Sequence, residues 1–65
     1  MQLNDRIYRV ALIEDDGPLR MLLSRHLRQS GFEARGYGSA AEFRAAAEEQ
    51  DFDVVVLDIM LPGTS

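Results

Sequence analysis

Two short runs of consecutive apolar residues, Val-Ala-Leu-Ile at 10–13 and Val-Val-Val-Leu at 54–57, bracket a stretch in which apolar positions recur at helical spacing. A run of four apolar residues, rich in β-branched types and stopping abruptly at carboxylates, reads as a strand buried on both faces of a parallel sheet. The pattern predicts a first strand over residues 6–13 and a third over 54–57. Between them, Leu19, Leu22, Leu23 and Leu27 follow one helical stripe, with Arg20, Ser24, Arg25 and Arg28 on the other side. Pro18 falls in the first turn, where its missing N–H costs nothing. Asp15 or Asp16 is positioned to cap that helix, and Gly31 to stop it, because glycine reaches the left-handed conformation at little cost.

Residues 32–37 alternate weakly and predict a second, more polar strand of the kind found at a sheet edge. Ser39-Ala-Ala-Glu42 fits a capping box for a second helix carrying Phe43, Ala46 and Ala47 inward. Pro62-Gly63 is a turn signal. The order is βαβαβ, for which right-handed crossovers into a parallel sheet are the strong default. No repeat, low-complexity tract or linker interrupts it.

Where these strands end is what points to chemistry. Glu14, Asp15 and Asp16 close the first run, and Asp58 closes the last. In open α/β sheets ligands bind beyond the carboxyl ends of the strands, so neighbouring first and third strands would bring Glu14, Asp15 and Asp58 into one pocket. Three carboxylates in one place repel. Such a cluster suits a hard divalent cation, and Mg²⁺ typically takes one or two carboxylates together with waters and phosphate oxygens.

Composition narrows the choice. The 65 residues allow one domain at most, and a domain of about 60 residues buries only about 60% of its unfolded surface, so it is marginal by itself. There is no cysteine, which removes disulfides and thiolate sites, makes zinc an unsuitable cofactor and fits a cytoplasmic setting. No apolar stretch approaches the roughly 20 residues of a membrane span, and Met-Gln-Leu-Asn-Asp-Arg lacks the pattern of a secretory signal. Net charge is −4, and the seven basic residues are all scattered arginines, which disfavours nucleic-acid binding by this segment. Glu48, Glu49, Asp51 and Asp53 read as a solvated helix end and loop. His26, Arg20, Arg25 and Arg28 read as a solvated face, and Phe32, Tyr37 and Phe43 as packing residues.

Val-Ala-Leu-Ile-Glu-Asp-Asp-Gly-Pro-Leu-Arg and Val-Val-Val-Leu-Asp-Ile-Met-Leu-Pro-Gly together resemble the first half of a response-regulator receiver domain of two-component signalling, with an OmpR-like flavour in Asp-x-Met-Leu-Pro-Gly. The resemblance covers nearly the whole chain. It implies that residues 1–65 are the N-terminal part of a flavodoxin-like, doubly wound parallel sheet, reduced to three strands and two helices. It implies further that Asp58 is the phosphoacceptor of a phosphorelay, receiving its phosphoryl group from a sensor histidine kinase in a Mg²⁺-dependent reaction. Glu14, Asp15 and Asp58 would serve as metal ligands together with the backbone carbonyl of Met60. Such a protein promotes its own phosphorylation and is not a conventional enzyme. In the full protein the expected output is transcription control, with any DNA contact made by a separate output domain.

The family's phosphate-contacting Ser or Thr and its Lys belong to strands four and five. Thr64 and Ser65 come too early to replace that hydroxyl, and the sequence has no lysine. In the family's strand order the third strand is central, but here it would be an apolar edge that invites pairing with another chain, as a homodimer or swapped assembly. A self-associating half-domain without phosphoacceptor activity is therefore the second reading. An aspartate-nucleophile phosphatase would place another aspartate two positions after Asp58, where Met60 stands.

Overall fold

The computed structural model describes residues 6–57. They form strand β1 (Arg9–Ile13), helix α1 (Gly17–Gln29), strand β2 (Glu33–Tyr37), helix α2 (Ala40–Ala47) and strand β3 (Val54–Leu57). The three strands make one parallel sheet in the order β2-β1-β3, so the fold class and element order are those the apolar pattern predicts. The first two strands are shorter than predicted. β1 begins at Arg9 and β2 at Glu33, where ladder bonding starts: Glu33 N–H donates to the Tyr8 carbonyl at 2.9 Å and Asp53 N–H to the Arg9 carbonyl at 2.9 Å.

Alternation along the strands divides the sheet into two faces. Val10 pairs in register with Ala34 and Val54, and Leu12 with Gly36 and Val56. α1 lies on this face, since Arg20 and Ser24 approach Gly36 directly. Tyr37, on the other face, meets Phe43 of α2 and Phe52 edge-on, with ring centroids 6.1 and 6.0 Å apart. The fully buried apolar residues of the described segment are Val10, Ala11, Leu12 and Ala34, so the core is centred on β1.

The helix ends follow from local chemistry. Ser39 Oγ accepts from Glu42 N–H at 3.2 Å, and Glu42 Oε1 accepts from Gly38 N–H at 3.0 Å. The predicted capping pair is thus present, with the carboxylate reaching one residue further back. At the end of α1, Gly31 adopts φ = +100°, while Gly31 N–H and Phe32 N–H donate to the carbonyls of Arg28 and Leu27 at 3.0 and 3.1 Å. These two bonds form a Schellman motif.

Four sequence expectations are corrected. The buried stripe of α1 runs through Ser24, which is 4% exposed, whereas Leu22 is 57% exposed. Gly36 offers no side chain to pack against, so the helix settles with the small Ser24 and the stem of Arg20 over it. Arg28 is not simply solvated either: its Nε donates to the Ala34 carbonyl at 3.1 Å. Ala47 faces solvent, while Phe43 and Ala46 are half-buried. Asp53 is a structural residue, whose carboxylate accepts from Arg9 N–H at 2.8 Å and pairs with Arg6.

β3 matches its predicted bounds but is not covered on both faces. Val54, Val55, Val56 and Leu57 are 38–57% exposed, because among the described residues β3 pairs only with β1 and neither helix packs on it.

Candidate functional site

β1 and β3 end side by side, with Ile13 in register with Leu57. The carboxyl edge of the sheet therefore lies where the first acidic cluster begins. Glu14 N–H donates to the Tyr37 carbonyl at 2.9 Å and continues the ladder with β2. This bond holds Glu14 at the strand end, and the residue is only 4% exposed. Its Oε2 accepts from Asp16 N–H at 2.9 Å, which folds the carboxylate back over the turn. Asp15, between them, is exposed.

The choice between Asp15 and Asp16 as helix cap is settled by geometry. Asp16 has extended backbone (φ −80°, ψ 110°) and its Oδ1 accepts from Leu19 N–H at 3.0 Å. Asp16 is thereby committed to α1, and Asp15 is left directed at solvent with no hydrogen bond or ion pair to another described residue. Capping residues of this kind stabilise by about 1 kcal/mol. Asp16→Ala is expected to lower unfolding stability in urea by that amount, while leaving Asp15 available; an unchanged midpoint would show that the cap contributes nothing.

Of the predicted metal set, Glu14 and Asp15 are placed at this edge, and Asp58 and Met60 lie outside the described residues. Among the described residues no group of three or more His, Asp or Glu side chains is arranged to hold a metal. The donor chemistry present is nonetheless of one kind: two carboxylates, one buried and one exposed, at the end of the central strand. Hard oxygen donors of this type fit Mg²⁺.

One residue at this edge was misread from the sequence. Arg20 stands on the helical side assigned to solvent, yet it is half-buried and its Nη1 donates to the Glu14 carbonyl at 2.8 Å. The available signal was Gly36-x-Gly38, two side-chain-free positions, one in β2 and one directly after it. His26 and Arg25 are exposed as expected.

Comparison with known proteins gives a consistent result. The profile of the response regulator receiver domain matches residues 10–65. The chain is similar to the transcriptional activator protein PfeR of Pseudomonas aeruginosa, 46% identical over 55 residues that make up 85% of this chain and 18% of that protein. It is 38% identical over 53 residues to the transcriptional regulatory protein GltR of the same organism, covering 82% of this chain and 22% of GltR. The sensory transduction protein RegX3 of Mycolicibacterium smegmatis is 41% identical over 56 residues, 86% of this chain and 25% of RegX3. The chain thus spans between 18% and 25% of the length of these relatives. No solved structure matches it at a significant level.

Proposed function

Because this chain belongs to the response regulator receiver domain family, we propose that Asp58 is its phosphoacceptor, supplied by the phosphohistidine of a sensor histidine kinase. The observation that supports this reading is the shared ending of β1 and β3, Ile13 beside Leu57, with Glu14 and Asp15 at that edge. In the proposed step an Asp58 carboxylate oxygen attacks phosphorus. The new O–P bond forms as the P–N bond to the kinase histidine breaks, and the imidazole leaves with the electron pair.

Glu14, Asp15, Asp58 and the Met60 carbonyl would hold Mg²⁺. The ion supplies positive charge against the oxygens of the transferred group. The protein's own residues divide the remaining work. Glu14 is held in place by the β2 ladder and the Asp16 amide, Asp16 starts the helix, and Asp15 is left exposed for binding. The protein is a phosphoacceptor and not a conventional enzyme, and in the full polypeptide the phosphoryl group is read out as transcription control, as the names of the relatives suggest. No helix among the described residues is long and apolar enough to cross a membrane, and the proposed location is cytoplasmic.

The outer edge of β3 is the proposed contact between copies of this chain, because its four residues are exposed and apolar and an unpaired strand edge is a template for another strand. The self-associating reading without phosphoacceptor activity is not favoured: it leaves the acidic turn at the end of β1 without a role.

The phosphoacceptor reading is tested by intact-mass spectrometry after incubation with acetyl phosphate, with and without Mg²⁺. A Mg²⁺-dependent phosphoryl adduct that hydroxylamine removes, as it does an acyl phosphate, is the expected result. A folded chain that acquires no adduct overturns the reading.

A further inference from the structure

We propose that Arg20 is a positioning residue that sets the acidic turn after β1, reaching it through a trough kept open by Gly36 in β2 and Gly38 just after it. The inference rests on the reading of that turn as the cation and phosphoryl site. Three observations carry it. First, the Arg20 side chain runs along the sheet and not into solvent: a Cβ added at Gly36 would sit 2.7 Å from its Cγ and 3.1 Å from its Cδ. Second, the guanidinium ends at the turn itself, with Nη1 donating to the Glu14 carbonyl at 2.8 Å. Third, a Cβ at Gly38 would meet that same Nη1 at 3.2 Å and both Glu42 carboxylate oxygens at 3.5 Å, and one at Gly17 would meet Nη2 at 3.6 Å. The head group thus lies beside Gly38 and Gly17, where a side chain would crowd it.

The Glu14 carbonyl belongs to the peptide that joins Glu14 to Asp15. Holding that oxygen fixes the plane of the peptide and so the direction in which Asp15 leaves the strand. A charged donor makes a stronger bond here than a neutral one, and the guanidinium fork keeps its geometry better than an ammonium. Arg20 is also a cation at the acidic turn, so its two effects on a bound cation oppose each other. By charge alone it repels Mg²⁺, and its removal would tighten binding a few-fold. By positioning, its removal weakens binding.

Arg20→Met separates the two, because it keeps the aliphatic stem over Gly36 and removes the guanidinium. In the metal-free protein, amide hydrogen exchange at Asp16, whose N–H is held by Glu14 Oε2, is expected to quicken about tenfold, the equivalent of one such hydrogen bond, while the amides of Val10 to Leu12 stay at parent rates. Unchanged exchange at Asp16 overturns the inference whether or not any metal binds. Titration with Mg²⁺ then reads the sign: weaker or equal binding by Arg20→Met supports positioning, since loss of the charge alone would tighten it, and binding tighter by a few-fold overturns it. Absence of Mg²⁺ binding by the parent protein would count against the cation site alone, since the exchange result decides the role of Arg20 independently. Gly36→Ala, which drives a methyl group into the Arg20 stem, is expected to reproduce the faster exchange at Asp16, and parent-like exchange there would count against the trough.

Discussion

Asp58→Asn is expected to abolish the phosphoryl adduct completely, at every Mg²⁺ concentration, under conditions in which the parent chain gains one. The amide oxygen is neutral and a poor nucleophile, so the O–P bond does not form even where the cation is in place. In the proposed metal set the substitution would also remove one charge and so weaken cation binding. Saturating Mg²⁺ separates these effects, since it restores occupancy but cannot restore the nucleophile. Asp15→Asn behaves differently: its adduct is expected to fall at low Mg²⁺ and to recover as the ion is raised. The comparison is one of presence against absence. An adduct of parent yield on the Asp58→Asn chain would place the acceptor elsewhere.

Leu12→Ala is expected to remove most of the folding stability. Leu12 is 1% exposed, the largest fully buried side chain among the described residues, and sits between Gly36 and Val56 on the central strand. Truncating a buried leucine costs about 2–5 kcal/mol, and the spread reflects how far the site can collapse around the cavity. Here collapse is hindered, because the neighbour on one side is a glycine and the strand is held on both sides by ladders. Stability of about 0.05–0.15 kcal/mol per residue leaves a chain of this size only a few kcal/mol to lose. Urea unfolding followed by far-ultraviolet circular dichroism should show the cooperative transition of the parent shifted toward zero denaturant or gone. A midpoint close to that of the parent would mean that β1 is not the centre of the core.

The parts of this fold that could be read from the residues are those set by neighbours in sequence. Pro18, Gly31 and the Ser39-Glu42 pair act within one turn of their own positions, and each marks a helix end in the structure. The apolar runs name their strands because burial in a parallel sheet selects continuous hydrophobicity. The acidic turn was legible for the same reason: a carboxylate directly after such a run must leave the sheet at its carboxyl edge. The choice between Asp15 and Asp16 was not legible, since both carry the same group and only the turn geometry brings Asp16 Oδ1 to Leu19 N–H.

Helical periodicity failed where the opposing surface was unusual. It treats a helix as facing a uniform apolar plane, whereas α1 faces a strand in which Gly36 replaces a side chain. That gap admits Ser24 and the Arg20 stem and turns Leu22 outward, and no property of residues 17–29 alone reveals it. Sequence by itself therefore determined the element order, the parallel sheet, the helix ends and the family, because these follow from local propensity and from the apolar pattern. Tertiary structure alone decided which residues of α1 touch the sheet, that Asp53 ties β3 to the start of β1, and that Arg20 reaches Glu14. Each of those depends on what residues far apart in the chain leave room for when packed together.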